Sequence, residues 1–194
     1  MTPVIFAELQ RRHAEPHRAH HDWARIAGML AMTEDIAHAL ADRPAFILAV
    51  LFHTAVFDRT RPDSEARSIA VMRDMLDRTL PRPMLDRATV LIHAVLRQEL
   101  PETDDPGLRA DAALICDMDH AVLGEPAARF MAYEAANRRE YAHLPDERYR
   151  AGRIAAYQML LWRDRLYLTD RFHLEREKRA RRNIDAALDR LEEA

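Results

Sequence analysis

Glycine is the residue this chain most plainly lacks, with four in 194 positions. No GxGxxG fingerprint and no Walker A loop can be assembled from so few, which excludes the usual backbone cradles for nucleotide phosphates. Cysteine is scarcer still. Cys116 stands alone, so no intramolecular disulfide can form, and neither a paired CxxC site nor an HExxH helix is present for zinc. It lies in the apolar run Ala112-Ala113-Leu114-Ile115, where a thiol is an inert packing group rather than a nucleophile. Lysine is represented by Lys178 only, and a formal net charge of −3 offers no global positive field for nucleic acid. No stretch reaches the length of a membrane span. The opening residues, Met1 to Phe6, hold no basic start leading into a long apolar run. These absences predict a cytoplasmic chain with neither membrane nor extended nucleic acid among its partners.

What is abundant is Ala, Leu, Arg, Glu and Met, the strong helix formers. A hydrophobic fraction of 48% with 31% charged residues describes an ordinary globular chain that can bury a core without staples. Almost every segment carries the helical period and none alternates as a strand. Pro and Gly divide the chain into roughly eight helices, and no linker is long enough to separate domains. The expectation is an all-α protein, one helical bundle over residues 1–194.

The third helix opens at Pro44 and continues through Ala45-Phe46-Ile47-Leu48-Ala49-Val50-Leu51-Phe52. A helix apolar on every side belongs at the centre of a fold. The second helix is expected over about Arg18 to Leu40, with a break near Thr33. Trp23, Tyr157, Trp162 and Tyr167 read as core aromatics. Arg138 and Glu140 read as a structural ion pair.

Chemistry is left to histidines and aspartates at separated positions. His20-His21 lies early on the second helix, His53 ends the apolar helix, and Asp117, Asp119 and His120 close the sixth. A histidine at the end of a buried helix can present a nitrogen from a rigid wall. The order Arg18-x-x-His21, then His53, then a distant Asp resembles the HD superfamily of metal-dependent phosphohydrolases. Longer segments carry the likeness to a bacterial subfamily of predicted HD phosphohydrolases. They are Leu51-Phe52-His53-Thr54-Ala55-Val56-Phe57-Asp58, Ser64-Glu65-Ala66-Arg67-Ser68-Ile69-Ala70, Asp117-Met118-Asp119-His120-Ala121-Val122-Leu123-Gly124, Arg138-Arg139-Glu140-Tyr141 and Glu177-Lys178-Arg179-Ala180-Arg181-Arg182-Asn183.

The resemblance implies an HD-type bundle in which His21, His53 and Asp119, with Asp117 as neighbour and substitute, hold Mn, Fe, Ni or Mg. That ion would activate water against a nucleotide or other phosphate ester. Arg18, Asp58 and Glu65 are the accompanying candidates for catalytic or supporting roles. Their structural alternatives are a helix C-terminal turn for Asp58 and an N-terminal capping carboxylate for Glu65.

Three departures bear on function. The doublet His-Asp reads His53-Thr54, and a neutral hydroxyl is a poor ligand for a hard cation. The further histidine four residues after His21 is Arg25. The helix that offers Thr and His reads Val95-Leu96-Arg97-Gln98. The alternative reading is therefore an HD-like domain that binds a phosphorylated small molecule or a protein partner without metal or catalysis. In that version Arg25, joined by Arg18, pairs with phosphate. An iron-dependent oxygen chemistry, known in some HD proteins, asks for a richer ligand set than this chain offers. A homodimer through exposed helix faces is a further expectation.

Overall fold

The structure is a computed structural model and describes residues 2–193. Nine α-helices and two short 3₁₀ segments make up the regular structure, with no strand among the described residues. None of the helices is long and apolar enough to cross a membrane. The helices gather into two compact units, divided between Cys116 and Asp117.

The first unit holds α1 (Pro3–His13), α2 (Trp23–Asp35), α3 (Arg43–Phe52), α4 (Ser64–Leu76), α5 (Arg82–Arg97) and most of α6 (Pro106–His120). As its composition demands, α3 is the centre. It packs against α2, α4 and α5, and Ala45, Phe46, Ala49, Val50 and Phe52 are wholly buried. Its start is fixed by Asp42, whose carboxylate accepts the Ala45 amide at 3.0 Å, with Pro44 in the first turn.

The second unit holds α7 (Ala127–Glu140), α8 (Asp146–Leu161) and α9 (Asp170–Glu193), with the 3₁₀ turn Ala121–Gly124 pressed on α9. Gly124 is required by that contact, because a Cβ there would lie 2.6 Å from the Cβ of Arg176. Asn183 donates from Nδ2 to the carbonyls of Leu123 and Glu125, both at 2.8 Å, which fixes the same turn to α9. Between α7 and α8, Arg153 joins Glu134, Tyr133 and Tyr157 in one half-buried polar cluster.

Several helix limits differ from the expectations, for identifiable reasons. The second helix begins at Trp23, not near Arg18, because Asp22 caps it by accepting the Arg25 amide at 3.0 Å. Residues 15–22 form an irregular loop, so His20 and His21 are not on a helix. Trp162 is no core residue: it stands at the C-cap of α8, past the packed face, and is 93% exposed. Arg138 pairs with Asp146 at 2.5 Å and with the carbonyls of Tyr141 and Leu144, not with Glu140. Residues two apart on a helix face away from one another, which explains the exchange.

The irregular connections are held by buried carboxylates. Asp111 on α6 is wholly buried and accepts the amides of Ala41 and Asp42, each at 2.9 Å. Burial raises its pKa, and the two amide bonds only partly offset that. Asp111→Ala is expected to lower the unfolding free energy by about 2 kcal/mol or more, since each buried amide left without an acceptor costs roughly 1–3 kcal/mol. Urea denaturation at neutral pH measures this, and an unchanged midpoint would refute the bond's structural role.

Candidate functional site

The apolar run of α3 stops at Phe52, and His53 forms its C-cap, with its amide bonded to the Ala49 carbonyl at 2.9 Å. Polar chemistry is thereby delivered to the end of the unit's most buried helix. Nδ1 of His53 lies 2.9 Å from the Val50 carbonyl. A carbonyl can only accept, so Nδ1 carries the proton and Nε2 is the ring's acceptor, the nitrogen a neutral imidazole offers to a metal.

The loop of residues 15–22 is bound to this helix end by Arg18. Its side chain is fully shielded from solvent. Nη1 donates to the carbonyls of Thr54 at 2.7 Å and His21 at 3.1 Å, Nη2 to that of Ala55 at 3.3 Å, and Nε to Glu15 at 3.1 Å. One guanidinium thus ties the backbone of His21 to the turn that follows His53. The two candidate imidazole segments are brought together by it. Arg18 works on backbone carbonyls here, and that geometry accounts for its burial without a ligand.

Phe57 provides the floor of the same region. The His21 ring stacks on it at 4.3 Å between centroids, and His17 donates from Nε2 to the Phe57 carbonyl at 2.7 Å. The guanidinium of Arg59 lies 4.8 Å from the centre of the Phe57 ring. Arg25 donates to Nε2 of His20 at 2.8 Å, which makes Nδ1 the protonated nitrogen of that neutral ring.

Thr54 occupies the second position of the doublet and is buried. Its hydroxyl lies 3.4 Å from Nε2 of His13, while Nδ1 of His13 lies 2.8 Å from the Leu9 carbonyl. The carbonyl fixes the His13 tautomer, so Nε2 accepts and the Thr54 hydroxyl donates. Burial holds the His13 pKa below its ordinary value, which keeps the ring neutral. His13 escaped the sequence reading, although its place four residues after buried Leu9 on α1 was a usable sign that it faces inward.

The remaining candidates are engaged nearby. Asp58 takes the amide and hydroxyl of Thr60 on one oxygen, at 2.9 and 2.6 Å, and these bonds lower its pKa. It makes a side-chain turn in the loop between α3 and α4, not the helix C-terminal turn expected as its structural alternative. Glu65, in the first turn of α4, accepts from His93 and Arg97 on α5. Burial tends to raise its pKa, but the bonds from Arg97 and His93 outweigh that and the carboxyl ends below its usual range.

Asp117 and Asp119 lie on the last turn of α6, in the second unit. Asp117 is buried and both its oxygens are occupied. Oδ1 accepts the Leu168 amide at 2.6 Å, and Oδ2 accepts the amide and hydroxyl of Thr169 at 2.8 and 2.6 Å. Burial raises its pKa against those bonds. Asp119 is half-buried beside it.

Whether this donor set fits a divalent metal can be judged from the chemistry present. His53 has the right tautomer. Thr54 is neutral and directed to His13, and Asp117 is saturated by three donors. Among the described residues, no three His, Cys, Asp or Glu side chains gather as a ligand set. At the second doublet position the resemblance implies a carboxylate, and the chain offers the neutral Thr54 hydroxyl. No family model, curated protein or solved structure matches the chain.

The neutral His13 has a consequence for stability. Its folded pKa is depressed below the ordinary 6.5, so its contribution is present above that value and is lost as pH falls through the folded pKa. Urea midpoints of the wild type should fall between pH 7.5 and pH 5 by more than those of His13→Gln. Equal pH slopes for the two proteins would show that His13 is not held neutral.

Proposed function

We propose that the chain is an HD-like helical protein that binds a phosphorylated small molecule, a nucleotide or other phosphate ester, without the hydrolytic rate of metal-dependent HD enzymes. The observation that carries this reading is the hydrogen bond from Thr54 to His13. It replaces the doublet carboxylate with a neutral hydroxyl already committed to a structural partner. Losing a residue that merely supports a ligand lowers metal affinity or activity by about 10–100-fold, and losing a charged ligand matters at least as much.

The rest of the region is consistent with binding. His21 and Arg59 lie against the Phe57 ring, and Arg25 reaches His20 beside His21, which favours an anionic group with an apolar or aromatic neighbour. Arg18 is excluded from ligand contact by its three carbonyl partners and acts as a positioning residue. The fold class and the order of the motif segments support the HD-like assignment, and the metal-free reading follows from the residues that depart from it.

Metal content by plasma mass spectrometry tests the proposal, on untagged protein grown with Mn and Fe and purified without chelator. The wild type should hold well under one equivalent and hydrolyse p-nitrophenyl phosphate at the background rate. Thr54→Asp should raise metal occupancy by about ten-fold or more, with circular dichroism showing an intact fold. Near one equivalent in the wild type, lost in His53→Ala, would overturn the reading. It would restore a metal-dependent phosphohydrolase built on His21, His53 and Asp119.

A further inference from the structure

The longest helix, α9, turns a face made almost entirely of charge to solvent. Arg171, Glu175, Lys178, Arg182, Asp185 and Asp189 follow one another at alternating steps of four and three residues, and all are exposed. That spacing keeps them on one stripe along the helix. The face changes sign near the helix midpoint. From Arg171 to Arg182 its exposed residues are four cations, Arg179 among them, against Glu175 alone. From Asp185 to Glu193 they are four carboxylates, Glu192 and Glu193 included, against Arg190 alone. The two halves therefore carry formal charges of +3 and −3.

This segregation does nothing for the helix by itself. The ion pairs of α9 are Arg171 with Glu175, Glu177 with His173 and Arg181, and Arg176 with Glu125. Lys178, Arg182, Asp185 and Asp189 enter none among the described residues. Lys178 lies four residues before Arg182, and Asp185 four before Asp189. Each is a like-charge couple at the spacing where side chains on a helix meet, which weakens the helix.

An apolar anchor stands at the point where the sign changes. Arg181 donates to the carbonyls on both sides of Trp162, that of Leu161 at 3.2 Å and that of Arg163 at 2.7 Å. Trp162 is thereby held beside the middle of α9, although it is 93% exposed. Met159, three residues earlier on α8, is 72% exposed. Exposed tryptophans near the centre of a patch are the anchors that most often carry interface energy.

A twofold axis perpendicular to α9 sets a second copy of the helix antiparallel to the first. With the axis between Arg182 and Asp185, Arg182 meets the partner's Asp185 and Lys178 meets the partner's Asp189. We infer that this face of α9 is the interface of a homodimer, its two copies antiparallel and Trp162 the apolar anchor beside the axis. The charges select a second copy over an unrelated partner, because the complement of each half is carried by the same helix. A parallel pair would oppose like charges along its whole length. His21, Arg25 and Arg59 lie outside this interface, so its test does not depend on the phosphate-binding reading.

Sedimentation velocity over a range of protein concentrations tests the inference. The wild type should pass from monomer to dimer with a Kd on the order of 10–100 µM, the weak end expected of a single helix face. About 0.5 M NaCl should raise that Kd roughly ten-fold by screening. The double variants Lys178→Glu/Arg182→Glu and Asp185→Arg/Asp189→Lys should each be monomeric, since each opposes like charges across the axis. Mixed in equal amounts they should form a heterodimer, in which every reversed charge meets its opposite. Trp162→Gln should weaken the wild-type dimer by about ten-fold or more. Circular dichroism checks each fold, and recovery in the mixture separates lost assembly from lost folding. A wild type that stays monomeric throughout would overturn the inference. So would a dimer that survives either pair of reversals, a mixture that fails to recover it, or an unchanged Kd in Trp162→Gln.

Discussion

Much of the first unit's polar architecture depends on one buried guanidinium. Arg18 is carried on a loop with little regular structure, yet its side chain is fully shielded and holds three backbone carbonyls, one in its own loop and two in the distant turn after α3. A cation taken out of water is stable only where its donors are answered. The answering groups here are the carbonyls of Thr54 and Ala55 in the turn after α3, that of His21, and the Glu15 carboxylate. The turn supplies acceptors, the arginine supplies donors, and together they set the position of His21 against the turn after His53. Phe57, His17 and Arg59 are arranged around that junction.

The same junction explains why the site resembles a metal centre in sequence and departs from it in structure. His53 retains the cap position and the tautomer that a ligand needs. Thr54 keeps the position of a carboxylate but donates to His13, a ring that burial holds neutral. A carboxylate at that place would face a basic nitrogen and invite its protonation. The hydroxyl asks for nothing of the kind. A hydroxyl at this place offers no charged ligand and is compatible with the neutral state in which burial holds the neighbouring histidine.

How much of this was legible in the sequence varies with the range of the forces involved. The centrality of α3 followed from an apolar run with no polar face, and its end at His53 followed from the change of composition. Burial patterns of that kind are local and periodic. The start of α2 was misplaced because the residues before Asp22 have helical propensity, while a tertiary clamp through Arg18 holds them irregular. Trp162 read as core by its chemistry alone, since nothing in the one-dimensional pattern says that α8 ends one residue too early to bury it. Asp117 entered as a candidate ligand through the resemblance, as the neighbour and substitute of Asp119. Its true partners, the amides of Leu168 and Thr169, lie about fifty residues away and carry no sequence signal.

A chain with four glycines must make its turns by other means, and the buried carboxylates show how. Asp111, Asp117 and Glu177 each reach from a helix to gather the backbone amides of a connecting segment. Turn geometry that other proteins write locally is here imposed from a distance, after the helices are in place. The connections and the helices therefore answer to different variables. Helices persist as long as apolar faces meet, whereas the connections persist while these acids accept the backbone amides. Burial raises the pKa of Asp111 and Asp117, while at Glu177 the bonds outweigh burial and hold it below the usual range. Removing one of these acids would therefore loosen a joint before a rod, leaving the helices packed and one linkage free.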